Sequence, residues 1–200
     1  MGEWAPEESS SSSAGRWVNP KDWEEVTEDK KPVKRFRFRV LSSVSTGAEV
    51  WGDDGKPHRA KTAKELSGIK PRQDGKFGPD KVKDVWAFVV LDVDADTEKV
   101  WTVHQATVRN ALKSVTAEWG DPFGYDLVCK QGKSSDGKTI YSMTAHPSGK
   151  VPLGPAQAER WAALKAAGFD LEALWTGGDP FPSSGASGGG AADASSDIPF

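Results

Sequence analysis

Sulfur is scarce in this chain, with one cysteine and 2 methionines in 200 residues. A lone Cys129 excludes an internal disulfide, and its flanks read as a strand, so a small packed residue is expected there rather than a nucleophile. A chain without disulfides suits a reducing cytoplasm. Long apolar runs are also missing: nothing approaches the roughly 20 residues that span a bilayer, and no basic-then-apolar leader is visible. Hydrophobic residues make up 36%, low for a fully packed chain of this length, so part of it is expected to be unstructured. The usual marks of catalysis are absent too. His58, His104 and His146 lack metal-ligand spacing, and there is no phosphate-binding glycine loop or nucleophile elbow. Asp92, Asp94 and Asp96 alternate with Val93 and Ala95 but lack the glycine and terminal glutamate of a calcium loop, so they read as a solvated turn. Neither an enzyme nor a cofactor or metal site is expected. A helix clustering Arg, Asn and Gln is also lacking, which argues against sequence-specific duplex reading.

What is present is a partition of charge. Residues 1–29 hold 2 basic and 8 acidic side chains, a net of −6. Residues 30–150 hold 22 basic and 15 acidic, a net of +7, and residues 151–200 are at −4. A basic centre between acidic ends is the pattern of a polyanion binder with self-screening tails.

The elements follow from periodicity. From Val33, Phe36, Phe38 and Val40 fall on one strand face and Arg35, Arg37 and Arg39 on the other. Ala48–Trp51 reads as a short strand closed by Gly52-Asp53-Asp54-Gly55. Residues 56–84 read as a long connection rich in Lys, Arg, Gly and Pro, with a short helix around Thr62–Leu66. Val85–Leu91 is a near-continuous apolar run that fits a central strand, and Lys99–His104 returns as another. Gln105–Glu118 has helical spacing through Val108, Leu112 and Val115, and Trp119-Gly120-Asp121-Pro122 ends it. Tyr125–Lys130 and Thr139–Thr144 pair around Ser134-Ser135-Asp136-Gly137, and a last amphipathic helix spans Pro155–Ala167.

A helix between the third and fourth of five strands is the arrangement of the OB-fold, a partly open Greek-key barrel that takes oligonucleotides and oligosaccharides. The expected class is therefore mainly β, a five-stranded barrel with helices and disordered tails. The expected organisation is an acidic, largely disordered segment at 1–29, an OB-type domain at 30–153, a helical segment at 154–176 and a disordered tail at 177–200.

Val85–Asp92, the helix after it, Trp119-Gly120-Asp121-Pro122-Phe123-Gly124-Tyr125-Asp126 and Thr139-Ile140-Tyr141 resemble the phage family of OB-fold single-stranded-DNA-binding proteins. The resemblance covers about residues 33–153, and no zinc ligand set accompanies it. The tail ends in Asp197-Ile198-Pro199-Phe200, which is similar to the partner-docking tip of bacterial single-stranded-DNA-binding proteins. In such a tip Phe200 would fill a pocket, its carboxylate would meet a basic residue, and Asp197 would add a second charge. The resemblance implies coating of single-stranded DNA without sequence preference during phage replication, recombination and repair, in the host cytoplasm. It also implies recruitment of replication or recombination proteins through the tip. A homo-oligomer is compatible with it; a membrane partner is not expected. An adaptor acting through its tail alone and an RNA-binding OB-fold remain the alternatives.

Single-strand binding needs cations for phosphates and flat rings for bases. Arg35, Arg37 and Arg39, with Lys56, Arg59, Lys61, Lys64, Lys70, Arg72, Lys76, Lys81 and Lys83 of the loop, are the expected backbone groove. Trp51, Trp86, Phe88 and Trp101 are the stacking candidates. Trp51 and Trp101 have charged or polar neighbours and are favoured, whereas Trp86 and Phe88 share a face that also suits a core.

Overall fold

In the computed structural model, residues 14–75 and 78–182 are described. The expectations for residues 1–13, for Lys76 and for the tail from residue 183, including its tip at Asp197, Ile198, Pro199 and Phe200, lie outside the described residues.

The alternating stretch forms β2 (Lys31–Val40), with Phe36 and Phe38 turned into the core. Around it the chain builds β1 (Glu24–Glu28), β3 (Ser45–Trp51), β4 (Pro57–Ala60), β5 (Lys83–Asp92) and β6 (Thr97–Val103). Helix α1 (Ala106–Trp119), β7 (Tyr125–Lys133), β8 (Thr139–Lys150) and α2 (Pro155–Ala166) complete the order. All the ladders are antiparallel. The architecture is mainly β: one open, eight-stranded sheet in the order β4-β3-β5-β2-β7-β8, with β1 added to β2 and β6 to β5. Five strands were expected. The additional ones are β1, β4 and the separation of β5 from β6.

The inner face of the curled path β6-β5-β2-β7-β8 holds the main core. Phe36, Phe38, Phe88, Trp101, Tyr125 and Leu127 pack there against Val108, Leu112 and Val115 of α1. The outer face of β5 and β6 is covered as well: Val85, Ala87 and Val100 meet Leu174, Trp175 and Phe181 from the segment after α2. Cover on both faces explains why Val85–Leu91 reads as a continuous apolar run rather than an alternating one. Trp175 lies so close to Gly47 that a Cβ there would sit 2.4 Å from the indole. Its Nε1–H donates to Ser45 Oγ at 2.7 Å.

Two expected boundaries move. The fold does not begin at residue 30, because β1 pairs with β2 and Trp23 is buried in the main core. Nor does the folded part end at 176, since Phe181 packs on Phe169 with ring centroids 5.2 Å apart. Helix α2 docks on the β5–β6 turn, where Arg160 reaches Asp96 at 3.0 Å and Glu98 at 3.2 Å. No helix among the described residues is long and apolar enough to cross a membrane.

The Trp-Gly-Asp-Pro turn is a structural clamp. Gly120 takes φ 84°, a region that favours glycine, and its N–H donates to the Thr116 carbonyl at 2.9 Å to end α1. Asp121 accepts from the Phe123 N–H, and the Tyr125 hydroxyl donates back to the Gly120 carbonyl at 2.9 Å.

Candidate functional site

The three arginines of β2 do lie opposite its phenylalanines, but acids occupy them. Asp126, first in the chain after Tyr125, is buried between two of them: Arg37 Nη2 reaches one carboxylate oxygen at 2.7 Å and Arg39 Nε the other at 2.7 Å. Arg39 is only 4% exposed and also donates to the Val151 carbonyl. A buried charge of this kind is tolerable only because it is paired. Arg35 pairs with Glu24 across the β1–β2 ladder. The expected phosphate track along β2 is therefore a row of ion pairs, buried at Arg39 and Asp126 and exposed at Arg35 and Glu24.

The basic loop divides in the same way. Arg59 holds the buried Glu49 at 2.6 Å and sits over the Trp17 ring, and Lys61 pairs with Glu172. Lys70 meets Asp53 at 2.8 Å, a hydrogen bond that holds its ammonium above the usual lysine range. Arg72 reaches Asp80 at 2.9 Å and lies 5.3 Å above the Trp51 ring. Lys56 and Lys64 are exposed on the surface. Residues 57–60, expected as coil, pair with β3, so part of the loop is a hairpin. Below it Leu66 packs into a small cluster with Ala48, Val50 and Ala60.

Among the aromatic candidates, Phe88 at 1% exposure and Trp101 at 4% belong to the core and present no free face for stacking. Trp86 is half-buried and differs from both. Arg109 and Lys113, one turn apart on α1, place their cationic ends 5.9 and 5.3 Å from its ring centroid. Trp86 separates two depressions. One, of about 270 Å³, runs past Thr46, Lys61 and Arg109. The other, of about 320 Å³, runs past Val44, Lys113 and Phe123. Val44 and Phe123 are themselves exposed apolar side chains.

These depressions with Trp86, Arg109 and Lys113 form a band on the surface, and next to it lies His104, whose imidazole feels the positive charges of Arg59, Lys83 and Arg109. Burial is the main cause that pushes this imidazole below the ordinary histidine range; Glu49 opposes the shift and the three cations add to it. Beyond His104 a cavity of about 300 Å³ opens between β6 and β8. These are the two ends of the curled path, and no ladder joins them among the described residues. Residues 17 and 18 instead flank β6, with the Val18 N–H donating to the Val100 carbonyl at 3.0 Å. The chain then inserts Trp23 at the seam, its ring 5.9 Å from Trp101 and 6.2 Å from Tyr141. Trp51 and Gln131 also line the cavity. Two buried nitrogens at this place, Trp23 Nε1 and His104 Nδ1, have no hydrogen-bond partner among the described residues. An unmet buried polar atom costs about 1–3 kcal/mol, so two at one cavity call for a physical reason.

The structure thus brings Lys61 and Trp86 to one depression and sets Arg72 against Trp51, while Arg35, Arg37 and Arg39 go to ion pairs on β2 and Phe88 and Trp101 to the core. The sequence reading missed Arg109, Lys113, Phe123, Trp23, His104 and Tyr141. One signal was available: Arg109 and Lys113 stand four apart, beside the buried stripe of α1, and so share a helix flank. No protein family, curated protein or solved structure matches this chain.

Proposed function

We propose that this protein binds single-stranded DNA without sequence preference, coats it during phage replication and recombination, and recruits enzymes through the Asp197–Phe200 tip. The observation that carries the reading is the band itself. Phe123 and Trp86 offer rings, and Arg109 and Lys113 lie against Trp86 with no carboxylate partner among the described residues. Cations track phosphates while ring faces accept any base, which gives affinity without sequence readout. The strand connectivity supports an OB-type relation. In the five-strand set β2, β5, β6, β7, β8 the helix falls between the third and fourth strands, and only a β6–β8 pairing would be needed to close it. Oligonucleotides meet such folds along the second and third strands and the loops flanking them, which here are β5, β6, the 41–82 excursion and the β7–β8 hairpin.

The test is quenching of intrinsic tryptophan fluorescence by single-stranded poly(dT) at low and moderate salt, with duplex as control. Quenching that weakens with salt and is small with duplex is the expected result. No binding at low salt overturns the reading and leaves an adaptor that works through its tail.

A further inference from the structure

The cavity between β6 and β8 has a composition unlike the rest of the band. We propose that it is a pocket for one uncharged nucleobase of a bound single strand, clasped by the aromatic side chains at the seam, with Trp23 and His104 meeting the base edge; this rests on the single-strand reading above. Its volume of about 300 Å³ lies at the small end of ligand pockets, which suits one ring system. No Lys or Arg lines it, and its one carboxylate, Glu49, is already neutralised by Arg59 at 2.6 Å. A phosphate finds no counter-charge inside, so the sugar-phosphate chain stays outside on the cations of the band while only the neutral ring enters.

Two unmet nitrogens belong to residues that line this cavity. Trp23 is 6% exposed, and its indole N–H can only donate. His104 turns Nε2 toward Glu49 Oε1 at 3.5 Å, and a carboxylate only accepts, so the ring hydrogen belongs on Nε2 and Nδ1 is left as an acceptor. Burial lowers the proton affinity of this imidazole, which favours the neutral form that the tautomer requires. A donor and an acceptor on two residues of the same lining suit the edge of every nucleobase, each of which carries both, so the pocket adds grip without choosing among sequences. Trapped water is the competing occupant, since a roomy polar site of this size also holds it.

Photo-cross-linking of the full chain distinguishes these occupants. A (dT) 20-mer carrying 5-iodouracil is bound and irradiated, and the adducts are mapped by mass spectrometry. Adducts on Tyr141 or Trp51 in addition to Trp86 are expected. Adducts confined to Trp86 and Phe123, with salt-dependent binding intact, overturn the pocket and leave the single-strand reading standing. No binding of the oligomer removes both. As a second test, Thr107→Trp places bulk at an exposed position on the cavity rim without touching the core. It is expected to weaken (dT) 20-mer binding by about tenfold, in the range of one lost stacking contact, with the salt slope unchanged. Unchanged affinity overturns the pocket.

Discussion

The outer face of β2 and the flank of α1 are both cationic, yet they differ in what the cations face. Arg37 and Arg39 close on Asp126, and Arg35 on Glu24. Arg109 and Lys113 lie on the ring of Trp86 and have no carboxylate partner among the described residues. On the first face charge holds the sheet together; on the second it is open to an incoming anion. A row of arginines in a sequence therefore does not mark a groove until the acids folded against it are known.

The sharpest break between the two faces is Asp126→Ala. It leaves Arg39 buried without its counter-charge and is expected to destabilise the fold by about 3–5 kcal/mol in urea unfolding. Trp86→Ala acts on the other face, and a loss of about 1–3 kcal/mol in poly(dT) affinity is expected from titration. Next comes salt dependence. The double variant Arg109→Ala/Lys113→Ala is expected to lower the log–log salt slope by roughly 1.4, at about 0.7 per lost contact on single strands, while Arg35→Ala leaves the slope unchanged. Equal effects at the two faces would erase the distinction between them.

A smaller effect concerns pH. His104 is held below its ordinary 6.5 chiefly by burial, so the unfolded chain binds the proton more readily than the folded one. Its contribution is complete above about pH 6.5 and is lost as pH falls toward the lower folded value. Thermal unfolding from pH 7.5 to 5 should lose less stability in His104→Gln than in the parent. Smallest of all, Cys129 is fully buried and its thiol is pushed up to about 12, so it should stay unreactive toward a thiol reagent until the protein unfolds.

Periodicity carried much of the fold. Phe36 and Phe38 against the arginines, the Val108–Leu112–Val115 stripe and the run before Asp92 each announce a face or a cover. What stayed hidden lacks a period. Pro57-His58-Arg59-Ala60 has no alternation and becomes a strand only because β3 offers an edge to it. Glu24 and Glu25 make β1 look like a solvated run. Phe181 stands among glycines and prolines that read as coil, and its packing in the outer cluster, with Phe169 and Arg16 against its ring, orders it. For the site, the sequence supplied Trp51, Arg72 and Trp86 but not which cations remain open. That depends on pairings far apart in the chain, such as Arg37 with Asp126. Trp23 had no periodic neighbour to place it, because its partners come from three strands.

Arg16 lies 4.8 Å from the ring of Phe181, and Trp17 packs in the same cluster. The first and last of the described residues therefore meet at one spot. A short linker from residue 182 to residue 15 should let the domain be reopened in an exposed turn away from the band and the β7–β8 hairpin, as a circular permutant that keeps the band unchanged. Tethers or reporters attached at either end would share a single point of departure.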